Sequence, residues 1–289
     1  MDLRRGARAA KAMAALLREP PYSPPGHFYS PLPNRADADR ALRVVRQAPP
    51  GVDVNEAGQL ALAGRLAPLW TETPLDGRYR LEPQNIMFGL GDAATYSALL
   101  RTYQPARVLE IGSGYSSAVA LDTVRRWDLS TRFTFVEPYP ERLLGLLSAE
   151  DRERTTLRRE PVQDTPMGLF EELGDGDLLF VDSTHVVKSG SDVVWLVLDV
   201  LPKLAPGVIV HFHDVFWPFE YPRSWLEERR GWTEVYLLCA FLAHNTAYRI
   251  LFFNDWVWQE HPEIVQRYLP AALGERPGGL WLRRDRDGM

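Results

Sequence analysis

The chain of 289 residues is 45% hydrophobic and 25% charged, which is typical of a globular protein with a sizeable core. Its formal net charge of −5 gives no overall basic field, so nucleic acid is not expected as a partner. The single cysteine, Cys239, excludes an internal disulfide, and no apolar run is long enough to span a bilayer. The sequence therefore predicts a cytoplasmic protein.

Residues 1–90 are predicted to form a helical and proline-rich N-terminal extension. Residues 1–19 are basic and alanine-rich, which favours an amphipathic surface helix, with docking to a membrane surface or a partner as the alternative. Six prolines in residues 20–33 exclude a helix or a central strand there. This arm either packs on the domain surface or lies over a substrate cleft. Two short helices at 36–47 and 55–70 and a turn-rich connection at 71–85 complete the extension.

Residues 91–289 are predicted to form one α/β domain, because apolar strand-like runs alternate with helical patterns after a first helix at 91–103. The predicted strands are 107–111, 133–136, 156–158, 178–181, 208–212, 249–253 and 280–282. The predicted helices between them are 117–127, 141–147, 167–173, 192–204, 234–245 and 262–273. Loops that follow the strands of such a sheet gather at one edge, where doubly wound folds bind ligands.

A glycine-spaced turn follows the first predicted strand. Residues 107–117 run Arg-Val-Leu-Glu-Ile-Gly-Ser-Gly-Tyr-Ser-Ser and lead into a helical pattern. Glycine lets the backbone turn tightly and approach a bound group, and the next helix offers unpaired N–H groups in its first turn. Ser117 stands where the dinucleotide fingerprint has its third glycine. The turn indicates a nucleotide-like cofactor without deciding which one.

An acid, Glu137, closes the second predicted strand. A carboxylate at this position can accept hydrogen bonds from both vicinal hydroxyls of a ribose. Dinucleotide binders and adenosyl binders share this acid, and the alternative is an ordinary surface acid at a strand end. Because the glycine turn precedes it, we favour the ribose role.

The acids that accompany the first, second and fourth strands, together with the glycine turn, resemble the class I S-adenosylmethionine-dependent methyltransferases over residues 91–282. The resemblance implies S-adenosylmethionine as cofactor. It also implies a doubly wound, mostly parallel, seven-stranded Rossmann-like sheet with an antiparallel strand inserted at its edge. The cofactor contacts that it implies are Glu110, Gly112, Ser113, Gly114 and Tyr115 around the turn, Glu137 at the ribose, and Gln163 and Asp164 at the adenine.

Aspartates and histidines cluster at the ends of the fourth and fifth predicted strands. Asp182 and His185 follow the fourth strand, and His211, His213 and Asp214 end the fifth, so three of the six histidines of the chain lie here. The two aspartates offer oxygen ligands that suit Mg²⁺ or Mn²⁺, whereas His213 favours Mn²⁺, Fe²⁺ or Zn²⁺. His185 is a suitable general base, because the pKa of an imidazole lies near the working pH. By strand alternation, His211 is expected to pack in the sheet.

The spacing of Asp182 and His185, followed by an acid at the end of the fifth strand, is similar to metal-dependent sugar O-methyltransferases of the macrocin and mycinamicin type. The resemblance implies that Asp182 and Asp214 bind a divalent metal and that His185 is the catalytic base. His213 stands where the related pattern has an acid, so the identity of the metal and the need for one are open. We predict His213 as a third metal ligand.

The predicted function is transfer of the methyl group of S-adenosylmethionine to an oxygen of a small-molecule or saccharide acceptor. A nitrogen acceptor, a non-catalytic adenosyl-binding or scaffold module, and a metallohydrolase stay open as alternatives. The hydrolase would use the histidines and Asp182, but it leaves the glycine turn without a role. The aromatic segment 215–225 is either a lid over the acceptor or a hydrophobic plug. The acceptor and a homo-oligomeric state are not decided by the sequence.

Overall fold

The computed structural model describes residues 14, 17–44, 47–73 and 87–285. Most of the predicted helix at 1–19 and of the predicted connection at 71–85 lies outside these residues. The chain divides into two compact units. One comprises residues 1–45 and 222–231, and the other comprises residues 46–221 and 232–289. None of the helices in the described ranges combines the length and apolar character that crossing a membrane requires.

Helices and strands alternate through most of the described chain. The helices are α1 (Arg35–Arg43), α2 (Glu56–Trp70), α3 (Leu90–Tyr103), α4 (Tyr115–Arg126), α5 (Glu141–Leu146), α6 (Ala149–Arg154), α7 (Gly168–Glu171), α8 (Asp192–Trp195), α9 (Arg223–Glu227), α10 (Glu234–Leu242), α11 (Asn254–Glu260) and α12 (Pro262–Tyr268). The strands are β1 (Arg107–Ile111), β2 (Arg132–Val136), β3 (Thr155–Arg158), β4 (Leu178–Val181), β5 (Ile209–Phe212), β6 (Tyr248–Phe253) and β7 (Leu280–Arg284).

All seven predicted strands occur, whereas several helices differ from the prediction. The predicted helix at 192–204 is broken into α8, a π-helical turn at Leu196–Val200 and a 3-10 turn at Leu201–Lys203. Pro202 has no N–H to donate, so a regular helix cannot continue through this position. The sequence reading missed the short helices α6, α9 and α11, which are too brief to show a clear apolar period.

The sheet has the strand order β3-β2-β1-β4-β5-β7-β6, and β7 runs antiparallel to both of its neighbours. The predicted seven-stranded, mostly parallel, Rossmann-like sheet is therefore confirmed. The antiparallel strand is not itself the edge strand, because it lies between β5 and β6. The order of the parallel strands reverses between β1 and β4, and such a switch point opens a crevice at the carboxyl ends of the strands.

The helix α2 belongs with the sheet, although it was predicted as part of the N-terminal extension. It packs on α3 and β6. Gln59 is fully buried, and its Oε1 accepts a hydrogen bond from the N–H of Phe253 at 2.7 Å. Asn55, at the start of the helix, donates from Nδ2 to the carbonyl of Ile250 at 2.8 Å. These polar contacts fix α2 on the sheet in addition to its apolar burial.

The smaller unit contains α1 and α9, which pack on each other. A capping box starts α1, because Asn34 and Asp37 each accept a hydrogen bond from the backbone N–H of the other. In the proline-rich arm, the rings of Phe28 and Tyr29 contact each other with centroids 4.2 Å apart. The two predicted alternatives for this arm, packing on the domain surface or lying over a substrate cleft, both stay predictions.

Candidate active site

The glycine turn brings the ends of β1 and β4 into direct contact. Gly112 has a φ of +75°, a conformation that side-chain-bearing residues rarely adopt. A Cβ atom at this position would lie 1.8 Å from the carbonyl oxygen of Asp182. Glycine is therefore required at residue 112 for two independent reasons, the backbone conformation and the close approach of the neighbouring strand.

Glu110 lies beneath the turn rather than in a cavity. Its Oε1 accepts hydrogen bonds from the hydroxyls of Ser116 at 2.6 Å and Ser117 at 2.8 Å, and the Ser117 oxygen accepts from the N–H of Gly114 at 3.0 Å. Burial is complete and raises the pKa of Glu110 to about 8. Glu110 thus fixes the turn, and Ser117 contributes a hydroxyl that a third glycine would lack.

Glu137 stands at the rim of the crevice in a fixed orientation. Its Oε2 accepts from the N–H of Ser113 at 3.2 Å, and its Oε1 accepts from the N–H of Tyr139 at 2.8 Å. Each carboxylate oxygen has further lone pairs, so the half-buried group can accept hydrogen bonds from a ligand as well.

Two adjoining cavities lie at this edge of the sheet, with volumes of about 280 Å³ and about 450 Å³. Both are lined by Gly112, Glu137, Asp182, Ser183 and Thr184. The smaller one also has Ser113, Gly114, Tyr115, Arg142, His185, His213, Asp214 and Trp232 in its wall. The larger one also has Tyr139, Val162, Gln163 and Lys188 in its wall.

The two residues predicted at the adenine differ in position. Gln163 lines the larger cavity and donates from Nε2 to the carbonyl of Gly190 at 3.0 Å. Asp164 is exposed and is absent from the walls of both cavities. The structure therefore brings Gln163, but not Asp164, to this edge.

A cavity of about 780 Å³ lies at the opposite end of the strands, where Arg107, Arg132 and Thr155 begin β1, β2 and β3. It is larger than the two cavities at the carboxyl edge. Its wall contains neither the glycine turn nor any of the clustered histidines. Size alone does not make a site, so we assign the chemistry to the carboxyl edge.

Asp182, His185 and Asp214 form a compact cluster in the smaller cavity. One ligand atom from each lies within 4.8 Å of the others. The Nε2 of His185 is 3.4 Å from Oδ1 of Asp182 and 3.6 Å from Oδ2 of Asp214. Two carboxylates and an imidazole are donors that fit a divalent ion such as Mn²⁺, and two carboxylates also fit Mg²⁺.

Buried carboxylates stand behind the two histidines of the site. The Nδ1–H of His185 donates to Glu234 at 2.9 Å, and Glu234 is 2% exposed. On the other side, Nε2 of His213 is 3.5 Å from Asp92, and its Nδ1 is 3.5 Å from Asp214. A hydrogen-bonded partner such as Glu234 fixes the tautomer and the orientation of an imidazole, here that of His185. Each histidine therefore presents one nitrogen to the aspartates and the other to a buried acid.

His213, which we predicted as a metal ligand, falls outside the three-residue cluster. Its Nδ1 is 3.7 Å from Oδ1 of Asp182, so it flanks the carboxylates. His211 is 1% exposed and lies between the rings of Phe180 and Trp281, with centroids 4.1 Å from each. His211 packs in the sheet, as strand alternation predicts, and it cannot complete the metallohydrolase set.

The charges of the cluster are strongly coupled. Burial alone would raise the pKa of the Asp182 carboxyl, but the imidazoles of His213 and His185 hold it well below its usual range. Burial would lower the pKa of His185, but hydrogen bonds with Asp182 and Glu234 raise it to about 10. The two aspartates, together with the buried acids behind the histidines, therefore favour positive charge at this point, from an imidazolium or from a metal ion.

The backbone is held in an uncommon conformation at the same place. His185 has a φ of 61° and Asp214 has a φ of 58°, both in the left-handed region. The carbonyl of His185 accepts from the N–H groups of Thr233 at 2.9 Å and Glu234 at 3.1 Å, which ties the loop to the start of α10. Non-glycine residues in this conformation concentrate at functional sites, where surrounding contacts compensate for the strain.

The segment that follows Asp214 is a hydrophobic plug rather than a lid. Phe216, Trp217 and Phe219 are buried, and none of them lines the two cavities. The N–H of Trp217 donates at 2.9 Å to Asp255, which is fully buried and pairs with Arg276 at 2.5 Å. This anchoring holds the end of β5 in place.

Sequence reasoning missed three residues of the site, Asp92, Arg142 and Trp232. Asp92 lies on α3, and its Oδ1 and Oδ2 accept from Asn254 at 2.7 Å and from the N–H of Gly278 at 3.0 Å. The ring of Trp232 lies 4.4 Å from that of His185. An acid inside an apolar helix was a detectable signal for Asp92, but no local pattern marks the other two.

Comparisons with known proteins agree with this architecture. Residues 109–215 match a family model described as a methyltransferase domain. A protein of Archaeoglobus fulgidus, described as uncharacterized, is 35% identical over 167 residues, which cover 52% of this chain and 73% of that protein.

Two solved structures are also similar. The SAH-bound Podospora anserina methyltransferase PaMTH1 is 20% identical, with coverage of 88% of this chain and 97% of that chain and a TM-score of 0.45. The Mg–SAM form of CmcI is 17% identical, with coverage of 68% and 72% and a TM-score of 0.40. Likenesses of this size say nothing about the acceptor or the metal of this chain.

Proposed function

We propose that this chain, whose residues 109–215 match a methyltransferase domain, is a class I S-adenosylmethionine-dependent methyltransferase, and that it methylates an oxygen of a small-molecule or saccharide acceptor with the help of a divalent metal. The observation that carries the proposal is the cluster of Asp182, His185 and Asp214 in the same cavity as the glycine turn. Binding alone would not require an oriented imidazole beside two carboxylates. A reaction that activates a hydroxyl requires both a base, such as the imidazole, and groups that stabilise the resulting charge.

The residues at the carboxyl edge fit an adenosyl cofactor. Bare main chain at Gly112–Gly114 faces the smaller cavity, and Glu137 lies where both cavities meet, with lone pairs for the ribose hydroxyls. Gln163 lines the larger cavity, which we assign to the adenine. When bound, S-adenosylmethionine supplies a methyl group on a positively charged sulfur, which reacts with a nucleophile in line. Glu110 supports the turn from below and does not contact the cofactor.

Asp182 and Asp214, the two acids of the cluster, are the proposed metal ligands, and both line the smaller cavity. A divalent metal supplies a positive charge that lowers the pKa of an acceptor hydroxyl and fixes its position. His213 flanks the aspartates and is proposed to orient Asp214 rather than to bind the metal. The need for a metal is part of the proposal.

His185 is proposed to take the proton of the acceptor hydroxyl at its Nε2. The bond from Nδ1–H to Glu234 fixes the ring with Nε2 toward the aspartates. Without a cation, the neighbouring carboxylates hold a proton on this ring and raise its pKa to about 10. Carboxylates already neutralised by a divalent ion hold that proton less strongly, so His185 is then able to accept one.

The experiment is a methyl-transfer assay over pools of hydroxylated small molecules and saccharides, with and without EDTA and added Mn²⁺ or Mg²⁺. His185→Ala is expected to lower kcat by about 10²–10⁴ while the affinity for S-adenosylhomocysteine changes less than about twofold. Loss of cofactor binding in this variant would show that His185 is structural. Turnover that survives EDTA would contradict the proposed requirement for a metal. Methylation of amines alone would contradict the proposed oxygen acceptor.

A further inference from the structure

One guanidinium at the cavity edge has no acidic partner in the part of the chain that the structure describes. Arg142, at the start of α5, lines the smaller cavity. No ion pair joins it to any acid in the described ranges, whereas Arg158 pairs with Glu160 at 2.6 Å and Arg125 pairs with Asp151 at 2.7 Å. A cation that faces a cavity without an acidic partner is available to an anionic group of a ligand.

The position of this side chain is set by the glycine turn. A Cβ atom on Gly114 would lie 3.0 Å from Cδ of Arg142 and 3.8 Å from its Nη1, so the arginine runs along the bare backbone of residue 114. Its guanidinium carbon lies 5.9 Å from the centre of the Tyr115 ring, within the range of a cation–π contact. The exposed side chain of Arg142 therefore lies beside the first turn of α4.

The charges around the smaller cavity are otherwise unfavourable to an anion. Glu137, Asp182 and Asp214 line it, and Arg142 is the one lysine or arginine in its described wall. The aminoacyl end of the cofactor carries an ammonium group and a carboxylate. The acids repel the carboxylate, and the guanidinium attracts it and can bind it through two parallel hydrogen bonds.

We propose that Arg142 binds the α-carboxylate of the cofactor and thereby selects nucleosides that carry an aminoacyl end. This assignment rests on the proposed function, because it requires an adenosyl cofactor at this edge. Arg142 acts in binding and selection, and it takes no part in proton transfer. Its loss should weaken a ligand that has the carboxylate and spare one that lacks it.

The test is calorimetric titration of the full chain with two compounds, S-adenosylhomocysteine and 5′-methylthioadenosine. The second has the same adenosine and thioether sulfur but no amino acid. In Arg142→Ala, the affinity for S-adenosylhomocysteine should fall about tenfold, while that for 5′-methylthioadenosine changes less than about twofold. Arg142→Lys keeps the charge but lacks the paired N–H donors of the guanidinium, so it should recover part of the lost affinity for S-adenosylhomocysteine.

Lys188 provides the matched control, because it lines the neighbouring larger cavity and carries the same charge. In Lys188→Ala, the ratio of the two affinities should stay at the value of the unmodified chain. Equal weakening of both compounds by Arg142→Ala, or no weakening of either, would overturn the assignment. If the unmodified chain bound neither compound, the proposed function itself would fail. Circular dichroism of each variant verifies that the variant is folded.

Discussion

The two halves of the site are built in different ways. The proposed cofactor half consists of the contiguous residues 110–117, which act largely through main chain, and of the Glu137 carboxylate at the end of β2. The acid–histidine half consists of Asp182, His185 and Asp214, which come from two separate loops. Side chains from distant helices orient this second half, notably Glu234 on α10.

The two halves therefore depend on different structural features. In the first half, one backbone conformation at Gly112 is indispensable, and hydrogen bonds between near neighbours maintain it. In the second half, each imidazole needs a buried carboxylate behind it, Glu234 for His185 and Asp92 for His213. Changes in the first half should therefore impair folding and cofactor binding, whereas changes behind the histidines should impair turnover.

The largest effect is expected for Gly112→Ala. The new methyl group would clash with the Asp182 carbonyl, and the φ of +75° would be strained. Together these should lower the free energy of unfolding by about 3 kcal/mol, measured by urea denaturation. Gly145→Ala in α5 is the control, because nothing lies within 4 Å of its Cβ position. That change should be neutral or stabilise by up to about 1 kcal/mol. Equal effects of the two substitutions would contradict this account of the turn.

Glu110 should give the molecule a pH-dependent stability. Its pKa is raised from 4.5 to about 8, so between these values the folded chain binds a proton that the unfolded chain has released. Stability should fall as pH rises through this window, by at most about 1.4 kcal/mol per pH unit. Glu110→Gln mimics the protonated acid, so its stability should not show this fall as pH rises.

Urea unfolding of both proteins between pH 5.5 and 7.5 measures this effect. The stability of the Gln variant relative to the unmodified chain should improve by about 2 kcal/mol over that range. A difference that stays constant with pH would show that Glu110 is already ionised in the folded chain.

The smallest of the three effects is expected for Glu234→Gln, which alters the partner of His185 without changing its size. The variant should lower kcat about tenfold, equivalent to about 1.4 kcal/mol, with the KM for S-adenosylmethionine nearly unchanged. Steady-state kinetics separates the two parameters. A rise in KM with kcat preserved would place Glu234 in the cofactor half and would weaken the distinction between the halves.

The same contrast explains how far the sequence predicted the molecule. Strand patterns such as the uninterrupted apolar run of β4 and the glycine turn are local signals, and they predicted the sheet, the turn and Glu137 at its rim. The clustering of Asp182 and Asp214 followed from neighbouring parallel strands. Arg142 on α5 and Trp232 in the loop before α10 reach the site through tertiary packing, which no period in the sequence encodes. Asp164 was predicted from a loose positional match, and its side chain is exposed.

The most direct measurement is a crystal structure of the chain grown with S-adenosylhomocysteine and Mn²⁺. The account predicts the ribose hydroxyls within hydrogen-bond distance of Glu137, the adenine beside Gln163, and the metal ion between Asp182 and Asp214. An adenosyl ligand in the cavity at the amino ends of the strands, or a carboxyl edge without ligand while Glu137 bonds only to main chain, would contradict it.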